Sequence, residues 1–194
     1  VMLEPLRRIV QEVNEAPDLE QALAVIVRRV KQTVGADVCS VYLTDFEARE
    51  HVLQATDGFR VEAAGRVRLP IHRGLIGWVS ERAEPVNLDD ACAHPRYVFT
   101  PETGEERYRG FLGAPIIQNR KVLGVLVLRQ REARGFEDDE MTLVVTLAAQ
   151  LAGAITHARA SGELARMQGL EDLPNSFLQG LPAASGIAIG TAVV

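Results

Sequence analysis

Apolar residues recur at helical spacing through the first part of the chain, and then the period shortens to two. Leu3, Leu6, Ile9, Val10 and Val13 share one helix face, which predicts an amphipathic helix over residues 2–15 that stops near Pro17. A second helix follows at once. Asp18 suits its N-cap, accepting from the backbone N–H of Gln21; Leu19, Leu23, Ile26, Val27, Val30 and Val34 form its stripe, and Gly35 suits the residue past its end. From Ala36 the pattern favours strands over residues 38–44 and 51–56, joined by the polar turn 45–50. Asp57-Gly58 marks a reversal, and residues 67–70 predict a short edge strand because Pro70 cannot donate to a ladder.

Gly74 to Glu84 predicts a helix whose Leu75, Ile76, Trp78 and Val79 must face a dry surface, ended by Pro85. Residues 87–110 carry no strong period, and Pro95, Pro101 and Gly104 punctuate them. An irregular loop, either functional or mobile, is expected there. Phe111 to Gln118, the turn Asn119-Arg120 and Lys121 to Gln130 then read as a hairpin of central antiparallel strands. Residues 136–160 predict the last long helix. Met141, Val144, Ala148, Leu151 and Ile155 line one face, and Leu143, Leu147 and Ala154 a neighbouring one. The helix is expected to continue through Glu163-Leu164-Ala165-Arg166-Met167. The segments divide as a domain over 1–160, a helical linker over 161–179, and a tail over 180–194 too short to bury its own apolar residues.

Length and composition narrow the classes. With 194 residues, 47% of them hydrophobic, the chain can form one domain with a sizeable core plus an extension. A net charge of −5 gives no long-range attraction for phosphate backbones or anionic lipid, so neither a nucleic acid nor a membrane is an expected partner. Cys39 and Cys92 are too few for a disulfide framework or a four-cysteine metal site and favour a reducing compartment. No run reaches the ~18 apolar residues of a membrane span, and Glu4, Arg7 and Arg8 break any signal-peptide pattern. A cytoplasmic protein is expected.

The order of elements, with Gly74-Leu75-Ile76-Gly77-Trp78-Val79, Pro85-Val86-Asn87-Leu88-Asp89-Asp90, Pro95-Arg96-Tyr97, Ala114-Pro115-Ile116 and Lys121-Val122-Leu123-Gly124-Val125-Leu126, resembles a GAF domain over roughly residues 4–160. The resemblance implies an α/β (α+β) fold. Its five- or six-stranded antiparallel sheet would carry the terminal helices on one face and a loop-helix segment over a pocket on the other. The tail Ala184-Ser185-Gly186-Ile187-Ala188-Ile189-Gly190-Thr191-Ala192 is similar to the start of the phosphoenolpyruvate-utilising region of enzyme I phosphotransferases. Together they resemble the nitrogen-related enzyme I family. That resemblance implies a regulatory domain sensing glutamine or 2-oxoglutarate, with a phosphocarrier protein as partner and Mg2+ as cofactor of a further region. None of His51, His72, His94 and His157 has the Thr-Ser-His-Thr-like setting of the family's phosphohistidine, so no catalytic residue is expected in this chain.

In a GAF-like fold the pocket would gather Tyr42, Leu53, Leu75, Trp78, Asn87, Asp89, Tyr97, Phe111 and Ala114. Trp78 suits core or ligand contact equally, and Asn87 and Asp89 could instead satisfy their own loop. A carboxylate effector needs a fixed cation, for which the planar fork of arginine is suited; Arg68, Arg73, Arg96 and Arg109 flank the region, although exposed arginines are commonly just solvated. GAF domains that bind cyclic nucleotides carry Asn-Lys and Phe-x3-Asp-Glu. Here Arg120 follows Asn119, and Phe136-Glu137-Asp138-Asp139-Glu140 is one residue short. Cys92-Ala93-His94 lacks the adjacent Cys-His of bilin-binding relatives. Two alternatives stay open: a homodimerisation module built on the terminal helices, and a free-methionine sulfoxide reductase, which needs two thiols close together in the pocket.

Overall fold

The computed structural model describes residues 2–99 and 108–167. The tail over 180–194 and the linker from 168 onward lie outside the described residues. Helices α1 (Leu3–Glu15) and α2 (Leu19–Val34) are followed by strands β1 (Val38–Asp45), β2 (Glu50–Asp57) and β3 (Arg68–Pro70). Then come α3 (Gly74–Arg82), β4 (Val86–Leu88), β5 (Gly110–Gln118), β6 (Lys121–Gln130), α4 (Asp138–Ala160) and α5 (Glu163–Met167). The six strands form one antiparallel sheet in the order β3-β2-β1-β6-β5-β4.

Local chemistry accounts for most boundaries. Asp18 accepts from Gln21 N at 2.8 Å and Gly35 follows the last turn, so α2 is capped at both ends. Asn119 and Arg120 have φ of 51° and 64°, the paired left-handed residues of a two-residue hairpin turn whose twist suits the strands it joins. Glu137 and Glu140 exchange side-chain and backbone hydrogen bonds as a capping box at the start of α4.

Two expectations are corrected. The stretch after Asn87 is not wholly irregular: β4 pairs Val86, Asn87 and Leu88 with Gly113, Leu112 and Phe111 of β5, and Ala91–Ala93 form a 3-10 turn. Nor does the last helix run on past Ala160. Gly162 at φ 76° breaks it, a conformation that costs glycine little, and α5 turns back toward α2. Leu164 is buried there, and the Glu163 carboxylate accepts from Leu19 N at 2.5 Å, favourable at the positive end of the α2 dipole.

The sheet separates two apolar layers. On one side α1, α2 and α4 cover Cys39, Val41, Leu43, Leu112, Ala114, Ile116, Leu126 and Leu128. Helix α4 has the length and mean hydropathy, 1.4, of a membrane span, but nine of its residues, Leu143, Leu147 and Leu151 among them, are buried in the fold. On the other side α3, the segment following β2 and the turn at Ala91 cover Tyr42, Leu53, Phe111, Val125 and Val127.

Candidate functional site

The second layer is the candidate site, and its geometry starts with α3. The helix can lie close to the chain that enters it because residue 77 is glycine; a Cβ there would stand 2.5 Å from the carbonyl carbon of His72. Leu75, Ile76 and Val79 are thereby pressed toward the sheet, where α3 packs on β5 and β6. Tyr42, Leu53, Leu75 and Phe111, four of the residues expected at the site, are buried together in this layer, with Trp78 and Tyr97 half-buried against it. Phe59 and Tyr108 join them with ring centroids 5.9 Å apart.

Other expected residues lie elsewhere. Ala114 has the opposite parity on β5 from Phe111 and faces the helices beside Leu112 and Ile116. Asn87 uses its amide on the backbone of Phe136, donating to its carbonyl at 2.7 Å and accepting from its N–H at 2.9 Å, which fastens β4 to the start of α4. Asp89 is exposed.

The flanking arginines are engaged at the surface. Arg68 reaches Glu50 at 3.1 Å and Asp45 at 3.4 Å, and Arg109 reaches Asp90 at 3.1 Å. Arg96 meets Glu81 at 3.2 Å and donates to the carbonyl of His72 at 2.6 Å, so it ties the loop to α3. Its hydrogen bond, with that of His72, holds the Glu81 carboxyl below the usual range. Arg73 is exposed just before α3.

Two polar residues of this face were not among the expected site residues. Arg129 is buried at 8% exposure near the end of β6, in register with Val38 on β1 and Phe111 on β5. Its guanidinium carbon lies 5.6 Å from the Phe59 ring centroid and 5.5 Å from that of Phe111. The signal was present in the alternation Val125, Val127, Arg129, which sets a charge on the inner face of a central strand. His51 is fully buried on β2, its Nε2 donating to the carbonyl of Ile71 at 2.9 Å and its Nδ1 meeting Thr44 Oγ1 at 3.1 Å. A carbonyl can only accept, so Nε2 carries a proton, and burial keeps the pKa of the ring below its ordinary value.

The remaining ionisable groups are accounted for locally. His72 pairs with Glu81 at 2.9 Å, His94 packs against Trp78 in a tilted arrangement with centroids 4.3 Å apart, and His157 is exposed on α4. Cys39 lies in the helix layer, its thiol pKa pushed up by burial, whereas Cys92 lies on the other side of the sheet near the carbonyl of Tyr108. The two thiols therefore cannot meet.

The sequence profile of the GAF domain matches residues 18–155, well over half of the chain. The chain belongs to the GAF family. The GAF domain of a phosphoenolpyruvate-protein phosphotransferase from Coxiella burnetii is 50% identical, with a TM-score of 0.81 over 84% of this chain and 96% of that one. The GAF domain of the corresponding Acinetobacter protein is 42% identical, with a TM-score of 0.78 over 82% of this chain and 95% of that one. A Salmonella typhimurium protein named phosphoenolpyruvate-dependent phosphotransferase system is 40% identical over 190 residues, 98% of this chain. The chain spans about a quarter of the length of the curated relatives it matches, 25% in the Salmonella protein. It is thus a GAF domain of the phosphotransferase type, and its α+β sheet with flanking helices is the fold of that family.

Proposed function

We propose that this GAF domain is the small-molecule-sensing, regulatory part of a phosphoenolpyruvate-protein phosphotransferase acting in nitrogen signalling in the cytoplasm. One observation carries the reading. The sheet commits one face to the terminal helices, while the other carries aromatic side chains under α3 and a buried guanidinium between Phe59 and Phe111, the mixture of apolar walls and few polar groups that suits a small ligand. Glutamine and 2-oxoglutarate are the effectors in view. The phosphocarrier partner and Mg2+ belong to the parent protein outside this chain, as does phosphoryl transfer through histidine.

The signal leaves through α5. Its contact with the N-terminus of α2 through Glu163 links the exit of the domain to the helix layer, and an effector that prefers one arrangement of that contact shifts its population. The separation of Cys39 from Cys92 argues against the reductase alternative.

A homodimer is compatible with sensing. The exposed side of α4 presents Thr142, Val145, Ala149 and Gly153, and a shallow groove bounded by Pro85, Met141 and Val145 adjoins it, a surface suited to a second copy. Calorimetric titration of the 194-residue chain with glutamine, 2-oxoglutarate and cyclic nucleotides tests the reading. Saturable binding of glutamine or 2-oxoglutarate is expected. Binding of none, with a stable dimer in sedimentation, would leave the association module as the function, and binding of a cyclic nucleotide would overturn the choice of effector.

A further inference from the structure

The last long helix meets solvent in a way that the first two do not. The open faces of α1 and α2 carry charge: Glu4, Arg7, Arg8 and Glu15 on one, Glu20 and Arg28 on the other. From Met141 to Thr156, by contrast, α4 has no charged residue, although Thr142, Val145, Ala149 and Gly153 are exposed on it. Interface centres are depleted of charge, so an open helix face without any fits one that meets another protein surface. Gly153 points the same way. A glycine inside a helix is less favourable than alanine, yet among the described residues, its own helix backbone aside, no atom lies within 4 Å of where its Cβ would stand. Packing within the domain does not call for it. The hydroxyls of Thr146 and Thr156 are engaged by carbonyls of their own helix at 2.8 and 2.9 Å, which leaves this face little polar demand. An open groove of about 490 Å³ extends it from Met141 and Val145 to Glu84 and Pro85.

The charges at the two ends of α4 select the occupant. Asp138 and Asp139 stand in its first turn, and His157 and Arg159 in its last. A second copy laid antiparallel brings the acidic start of each helix to the basic end of the other, whereas a parallel copy sets like charges together. We propose that two copies of this chain pair through antiparallel α4 helices about a two-fold axis at Ala149. In that register Val145 of each copy faces Gly153 of the other and fills the space that the missing side chain leaves. Met141, beside the groove at Pro85, then receives the turn around His157 of the other copy. The two-fold axis makes both halves of the contact identical, so the complementary ends act twice. This rests on the reading of α4 as a surface for a second copy, and not on which effector binds.

Sedimentation of the 194-residue chain over a concentration series tests the pairing, with the folding of each variant checked by circular dichroism. Wild type is expected to dimerise. Val145→Lys and Gly153→Glu each bury an unpaired charge at the contact and should weaken dimerisation roughly 10- to 100-fold. Combining the two substitutions in one chain sets lysine against glutamate twice in the antiparallel register and should recover most of the loss. In a parallel pair the same double variant would oppose like charges and associate more weakly still. If a variant does not fold, dilution of wild type decides: amide signals of Val145, Ala149 and Gly153 should shift while those of Arg7 and Arg28 stay fixed, and the reverse would overturn the proposal. A wild type that stays monomeric at millimolar concentration would overturn it together with the association reading, and would leave the sensory reading standing. A dimer that survives both single substitutions, or that the double variant fails to restore, would overturn the α4 pairing alone.

Discussion

The two faces of the sheet are built from different kinds of residue. The helix side is aliphatic: Phe136 is the one aromatic among its buried cluster, and apart from Cys39 the rest is Leu, Ile, Val and Ala, mostly from the helices and from β1, β5 and β6. The opposite side gathers Tyr42, Phe59, Tyr108 and Phe111, with Trp78 and Tyr97 packed against them, and it holds the buried Arg129 and His51. Aliphatic side chains interdigitate at close-packed density and have no polar demand. Aromatic rings and a guanidinium offer directional contacts that an aliphatic layer cannot, and burying them without partners is costly. On the proposed reading, one face serves stability and the other recognition.

The largest effect that could break this division lies on the helix side. Leu147→Ala is expected to cost about 2–5 kcal/mol in chemical denaturation, since a fully buried side chain leaves a cavity, while the folded variant keeps its effector affinity. Lost affinity in a well-folded variant would mean that the layers do not divide the work. Asn87→Ala comes next, at about 1–3 kcal/mol, because two backbone groups of Phe136 lose their partner. Effector titration should again be unaltered, which separates Asn87 as a brace from Asn87 as a ligand contact.

The pH dependence sharpens the same comparison on a smaller scale. Burial holds His51 below the ordinary 6.5, so the unfolded chain binds a proton more readily than the folded one. The contribution of neutral His51 is complete above about pH 6.5 and declines as pH falls from there toward the lowered value. Thermal melts of His51→Gln against wild type across that range should differ in slope; parallel slopes would show that His51 does not titrate on unfolding. Arg68→Ala should be the mildest, under about 1 kcal/mol in the same melts, as its ion pairs are partly exposed. A loss of effector binding by that variant would place the effector site at the surface.

Much of the framework was legible because its signals are local. The Asp18 cap, the Asn119-Arg120 turn and the period of α4 each act within a few residues. The missing pieces depend on distant partners. Strand β4 has only Val86, Asn87 and Leu88, too short to show a period, and exists through its ladder with β5. Asn87 looked like a turn residue, yet its partner lies 49 positions away. The break after α4 hinges on a single glycine, and its stability on Glu163 meeting an N–H 144 positions earlier. At the site, strand parity separates Phe111 from Ala114 and places Arg129 on the same strand face as Val125 and Val127. The aromatic partners Phe59 and Tyr108 come from segments without any pattern, so only the fold unites them.

Amide and methyl chemical-shift mapping during titration with 2-oxoglutarate or glutamine tests the division of the two faces most directly. The account predicts saturable shifts centred on Tyr42, Leu75, Phe111 and Arg129, with Val27, Leu147 and Leu151 unmoved at the helix side. Shifts centred instead on the α1, α2 and α4 surface, with the α3-covered face silent, would contradict it.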